Sequence, residues 1–314
     1  MVGPISSDLE RAIYRTVAWF SLFDYPVTVL EIFKYLYQPP QKINLLNVEQ
    51  TLSESLWLKE RLSFQNGFWF LKNSKNDLIK NHQARFLDAA KKFKKLKRAA
   101  RYFSLFPFVR AVFACNNLAW HNTTPHSDID LFVIVDPGTL WVSRMLLVLP
   151  FALVKKRPRI APIPFGEGPG EGFDPFCFSF FATTDGLDFS RIILPNGDPY
   201  FAYWLVSLIP IFDRDKIQEQ IFVQNKWLVK ILPNSFGQSG HQSLFSKSRF
   251  VLPVGFLKKF ELSVRYWQKK FLPCEIRDTA NYDSSVIISD KLLKFHTNDK
   301  RIYFRDQWKK IYET

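Results

Sequence analysis

The sequence predicts an α+β protein. A mixed sheet with flanking helices is preceded by a helical unit closed by a hairpin, and followed by a helical and hairpin region. Three observations predict this. Apolar, β-branched and aromatic runs of strand length recur at residues 108–113, 131–135 and 176–182. Stripes at helical spacing lie between and around them. Asn66-Gly67, set between two aromatic runs, is a hairpin turn signal. The 314 residues include 32 Phe, 11 Tyr and 9 Trp and are 47% hydrophobic, which is material for more than one packed core and excludes disorder outside short linkers.

Residues 9–75 read as one unit. Ile13, Val17 and Phe20 form a stripe that breaks at Asp24-Tyr25-Pro26. Thr28 caps a second helix, and Glu31 completes a capping box. A third helix fits residues 47–57, with Asn47 as cap and Gln50 in the reciprocal position. Three helices and a hairpin make a winged helix-turn-helix. Its third helix holds Glu49 and Glu54 and neither Lys nor Arg, which suits a phosphate-lined groove poorly. Packing or protein contact is the favoured role, and DNA binding stays as an alternative.

A connecting helix is predicted over 76–103, within a segment 76–106. Phe86, Ala90, Phe93, Ala100 and Phe103 fall near one face, and Lys91, Lys92, Lys94, Lys95, Lys97, Arg98 and Arg101 on the other. The basic face is either solvated or an electrostatic guide for an anion.

Residues 107–232 form the central domain. A strand over 108–113 and a turn over 116–125 lead into the run 131–135. Asp136-Pro137-Gly138 ends that strand and opens a helix through Trp141, Arg144 and Leu147, with Pro150 near its end. Residues 155–175 read as a Pro/Gly-rich loop, and no Gly-Lys-Ser/Thr follows its glycines, so it is not a phosphate-cradling loop. The strand over 176–182 has Ser179 at its centre, and helices are predicted over 198–212 and 217–231. Residues 233–250 are a polar linker. The region 251–314 holds a basic amphipathic helix over 256–271, a hairpin around Ser289-Asp290 and a short closing helix.

Lys and Arg outnumber Asp and Glu by 43 to 29, a formal charge of +14 that favours anionic partners. Cys115, Cys177 and Cys274 make no Cys-x-x-Cys pair and read as free thiols of a reducing compartment. The apolar stretches 145–154 and 200–212 fall short of the ~20 residues a membrane span needs. With no signal peptide legible, a cytoplasmic location without a membrane span is expected.

The most informative stretch is Ser127-Asp128-Ile129-Asp130, which runs straight into Leu131-Phe132-Val133-Ile134-Val135. On a strand both carboxylates project from one face, about 6–7 Å apart at the backbone. Two like charges held together there call for a cation, and the pair suits one or two Mg²⁺ ions with a nucleotide's phosphates.

Strand, turn, Ser-Asp-Ile-Asp strand and helix together resemble the nucleotidyltransferase core of the DNA polymerase β-type superfamily. Over residues 9–310 the chain resembles bacterial nucleotidyltransferase-domain proteins with an N-terminal winged-helix segment. Phe23-Asp24-Tyr25-Pro26, Pro107-Phe108-Val109-Arg110, residues 140–144, Asn225-Lys226-Trp227 and Lys294-Phe295-His296 carry the rest of the likeness. The resemblance implies transfer of a nucleoside monophosphate from a nucleoside triphosphate to a hydroxyl, with Mg²⁺ or Mn²⁺ on Asp128 and Asp130. The acceptor is left open, a small molecule, a protein or an RNA end. Ser127 would shape the turn, and Arg144 would meet a phosphate. Where the family has Gly-Ser to receive the triphosphate, this chain has Asn116 and Asn117. Where it has a third carboxylate on a later strand, this chain offers Ser179, with Asp174 just ahead. The implied readings are an active enzyme, an inactive nucleotide-binding or protein-interaction relative, and a DNA-binding regulator.

Overall fold

The computed structural model describes residues 7–40, 43–153, 174–236 and 254–313. The N-terminal elements are α1 (Asp8–Ser21), α2 (Val29–Lys34), α3 (Leu45–Glu54), α4 (Leu56–Arg61), β1 (Leu62–Gln65) and β2 (Phe68–Leu71). Then come α5 (Leu78–Phe103), β3 (Val109–Ala114), α6 (Asn116–Ala119), β4 (Ile129–Val135), α7 (Leu140–Leu153) and β5 (Phe176–Thr183). The remainder is α8 (Pro199–Ser207), β6 (Ile209–Asp213), α9 (Ile217–Gln224), α10 (Trp227–Ile231), α11 (Val254–Lys270), α12 (Cys274–Asp278), β7 (Val286–Ile288), β8 (Leu292–Phe295) and α13 (Arg301–Glu313).

The capping box at Thr28 and Glu31 forms, and so does the hairpin at Asn66-Gly67. The third helix is different from the one predicted over 47–57. Asn44 caps α3 with Asn47 in the reciprocal position, so the real box lies three residues earlier. Ser55 then ends α3 and caps α4, which carries Lys59 and Arg61. Asn and Ser both satisfy orphan amides, so two neighbouring cap signals compete, and the upstream one wins.

The central sheet is mixed, in the order β6-β3-β4-β5-β8-β7. Only β4 and β5 run parallel; the other pairs are antiparallel. Alternation along the strands divides the core. Phe113, Phe132, Ile134 and Phe180 face α1 and α8, whereas Val112, Leu131, Val133 and Phe181 face α5 and α7. The C-terminal hairpin joins this sheet through β8, which pairs with β5.

Two further predictions are corrected. Residues 209–213, read as the end of a helix, form the edge strand β6. Pro210 gives the reason: it breaks a helix, yet an edge strand tolerates it. The helix predicted over 217–231 is split at Asn225, whose buried amide bonds to the backbone of Leu187, Phe189 and Ile221. Most of the loop 155–175 and of the linker 233–250 lies outside the described residues. No described helix is long and apolar enough to cross a membrane.

Candidate functional site

The site forms where β3 ends and β4 and β5 begin, beside α6. Cys115 N donates to Asp130 O at 3.1 Å, which locks the end of β3 against the start of β4. The chain then turns through Asn116, whose φ of 53° lies in the left-handed region that Asn tolerates better than most non-Gly residues. Ser127 holds the loop before β4: its N–H bonds to Thr124 O, and its Oγ accepts from Thr124 N, both at 2.9 Å.

Asn116 occupies the space between the turn and the carboxylates. Its Oδ1 accepts from Trp204 Nε1 at 2.8 Å, and its amide, beside Asp130, favours that residue's anion. The short helix α6 that it opens is only four residues long, so its dipole adds little. Asn117 is exposed, and its backbone carbonyl accepts from Asn122 N at 2.8 Å.

Asp130 is largely enclosed, and burial pushes its carboxyl up to about 7, with the neighbouring Asp128 adding to the rise. Asn116 and Cys177 work against that rise without cancelling it. Burial also raises Asp128, opposed by the Lys92 ammonium.

Strand β5 brings uncharged groups to the carboxylates. Cys177 is the register partner of Asp130, and its thiol, itself pushed up by burial, bonds to that carboxylate. Between Asp130 and Phe132 on β4 the register on β5 advances from Cys177 to Phe180, one residue extra, which is a β-bulge. The bulge spans Phe178 and Ser179. Ser179 Oγ bonds to Cys177 and lies 3.1 Å from His296 Nε2 on the neighbouring strand's end. Burial, then Lys294 and Arg301, lower His296 to about 3, so its imidazole is neutral.

Asp174, the other expected carboxylate, is held elsewhere. Its carboxylate accepts from Lys92 Nζ at 2.5 Å and from Lys95 Nζ. Burial favours its neutral form, but the two lysines outweigh that and hold it below the usual carboxylate range. Lys92, placed by the sequence on the basic outer face of α5, is fully buried. The buried stripe of α5 runs through His82, Ala89, Lys92, Leu96, Ala100 and Phe103, whereas Phe86 is half exposed. Lys92 also pairs with Asp88, 3.3 Å away.

No family model, curated protein or solved structure matches the chain. The site is therefore judged on its own chemistry. Asp128 and Asp130 are two oxygen donors in an electrostatic conflict that one hard divalent cation would relieve. Among the described residues a second ion lacks a ligand set: Asp174 is bound to lysines, and the groups beside Asp130 on β5 are a thiol and a hydroxyl. Among the described residues no three His, Cys, Asp or Glu side chains are grouped to hold a metal.

Arg144 lies on α7, which covers the opposite face of the sheet from Asp130. It bonds to Gln268 and its guanidinium sits 5.0 Å from the centre of the Phe295 ring. The structure thus brings together Asn116, Asp128, Asp130 and Ser179 and leaves Asp174 in other company, whereas Arg144 shares a pocket with Cys177 and Ser179 and not with the carboxylates. The sequence reading missed Lys92, Cys177, His296 and Trp204 as members of this neighbourhood. Cys177 carried a signal of position: it lies two residues before Ser179, the spacing that puts side chains on one face of a strand.

Proposed function

We propose that this chain is a nucleotidyltransferase-like protein that binds a nucleoside triphosphate through one divalent cation, Mg²⁺ or Mn²⁺, on Asp128 and Asp130. The observation that carries the reading is the Asp128–Asp130 pair at the start of β4, the strand that runs parallel to β5 and follows the left-handed turn at Asn116. The cation would neutralise the two carboxylates and the phosphates together. The chain's own residues supply the rest: Ser127 holds the loop, Asn116 orients Asp130, and Lys92 with Lys95 withdraws Asp174.

Transfer of the nucleoside monophosphate to a hydroxyl acceptor is the chemistry such a site is built on. With no third carboxylate beside the pair among the described residues to accept the hydroxyl proton, that transfer is slow. The N-terminal helices and hairpin fit a winged helix-turn-helix used for packing. Glu49 and Glu54 are exposed on α3, while Val48 and Leu52 are buried in the shared core.

Calorimetric titration of nucleoside triphosphate with and without Mn²⁺ tests the reading, with the Asp128→Ala/Asp130→Ala variant as control. Cation-dependent binding that is lost in the variant is expected. Binding that ignores the cation or survives the double substitution would overturn it. Transfer of an α-label to the protein itself or to bulk RNA separates a slow enzyme from a pure binder. Salt-sensitive duplex binding that is indifferent to the substitutions favours the DNA-binding alternative.

A further inference from the structure

Beside Asn116 opens a pocket of about 160 Å³ between α8, the end of β8 and the start of α13. It begins one side chain from the carboxylates, because Asn116 lines it and also stands beside Asp130. Tyr200, on its wall, feels the Asp130 carboxylate, which with burial pushes its hydroxyl up.

The walls are flat rings. Tyr200 and Phe304 stack at 5.6 Å, and Trp204 stacks on Phe180 at 5.1 Å. Between them lie two groups that read heterocycle edges. His296 has Nδ1 left beyond the Nε2 that Ser179 engages, and the exposed amide of Asn298 offers a donor and an acceptor. Lys300, exposed, also lines the pocket and brings a cation to it.

The wall is preorganised. Lys294 and Arg301 are each buried, and both pair with Asp299, at 2.8 and 2.9 Å. Arg301 also reaches the buried Asp198 at 2.7 Å, and Lys294 donates to the carbonyl of Ser284. These bonds pin both ends of the segment 294–301, so the positions of His296 and Asn298 are fixed before any ligand arrives.

We infer that this pocket takes the heterocyclic ring of the nucleotide whose phosphates Asp128 and Asp130 hold, so that the C-terminal segment 294–301 completes the site. The inference rests on the nucleotide-binding reading above. Ring stacking contributes to affinity whatever the base, and the edge contacts of His296 and Asn298 select among bases.

The test compares Mg²⁺ complexes of ATP, GTP, CTP and UTP with Mg²⁺ tripolyphosphate, by calorimetry on the full chain. At least one nucleotide is expected to bind about tenfold tighter than tripolyphosphate, the increment that stacking supplies. Phe304→Ala and Asn298→Ala are each expected to weaken that nucleotide several-fold and to leave tripolyphosphate unchanged. Asn298 is exposed, so its variant keeps the fold even if truncating Phe304 does not. Tripolyphosphate binding as tightly as every nucleotide, with Asn298→Ala and a folded Phe304→Ala indifferent, would overturn the pocket assignment and leave the phosphate site standing. Binding of neither ligand sinks both readings.

Discussion

Asp130 carries an electrostatic conflict, and single substitutions there and at His296 separate stability from function. Its carboxyl is raised to about 7 because burial and Asp128 both disfavour the anion. In cation-free protein Asp130→Asn keeps the shape and removes the charge. We predict that it stabilises the fold at pH 8 by on the order of 1–3 kcal/mol, read as a higher Tm in chelator, while abolishing cation-dependent nucleotide binding. A lower Tm would show that the anion is compensated in the fold. His296 behaves with the opposite sign. Lys294 and Arg301 add to burial in lowering it, Asp299 opposes them, and the result is about 3 against an ordinary 6.5. Between those values the unfolded chain binds the proton and the folded one does not, so stability falls as pH drops below 6.5. His296→Gln should flatten that part of the acid limb, measured as Tm between pH 6.5 and 4 relative to the parent chain. An unchanged slope would mean that other groups govern it.

At the scale of elements, α5 is the helix whose sequence misleads most. Of the face expected through Phe86, Ala90, Phe93, Ala100 and Phe103, the last two are buried and Phe93 packs on the core. Phe86 is half exposed, and the buried stripe turns instead through Ala89, Lys92 and Leu96. A buried lysine is legible only once its partners are known, and Asp174 lies 82 positions away in sequence. We predict that Lys92→Met destabilises by about 3–5 kcal/mol, because Asp174 and Asp88 lose their shared cation. The Lys92→Met/Asp174→Asn pair should recover much of the loss in urea titrations, and additive losses would show that the two do not act as a unit. The same contrast marks the other elements. Strands β3, β4 and β5 were legible because apolar runs of fixed length admit few alternatives. Edge strand β6 was not, since its apolar residues continue those of α8 and only Pro210 marks the change. In the site, the position of the Asp pair was written in the sequence, and so was the absence of a Gly-Ser turn. The company of the pair was not. Cys177 and the bulge at Ser179 depend on register, and His296 arrives from a hairpin more than a hundred residues downstream.

Across the whole molecule, the two ends of the chain meet in one aromatic core. Trp19 of α1 stacks on Tyr203 of α8 at 5.1 Å and meets Trp308 of α13 edge-on at 5.7 Å. Trp308 Nε1 donates to Arg15 O at 2.8 Å, and Tyr203 donates to Tyr35 O at 3.1 Å. That cluster is continuous with Phe132 and Phe180 of the sheet. Helix α13 therefore ties the N-terminal helices to the central sheet, and it also carries Phe304 and Arg301 of the ring pocket. Removing the indole of Trp308 should open a cavity at this junction and cost about 3–5 kcal/mol. If the core is energetically one, circular dichroism and tryptophan fluorescence will report a single coincident unfolding transition in the parent chain. Trp308→Ala will shift that transition as a whole and weaken nucleotide binding with it, because the loosened α13 no longer holds Phe304 in place. Two separate transitions, with only the earlier one moved by Trp308→Ala, would mean that the N-terminal helices fold as a unit of their own.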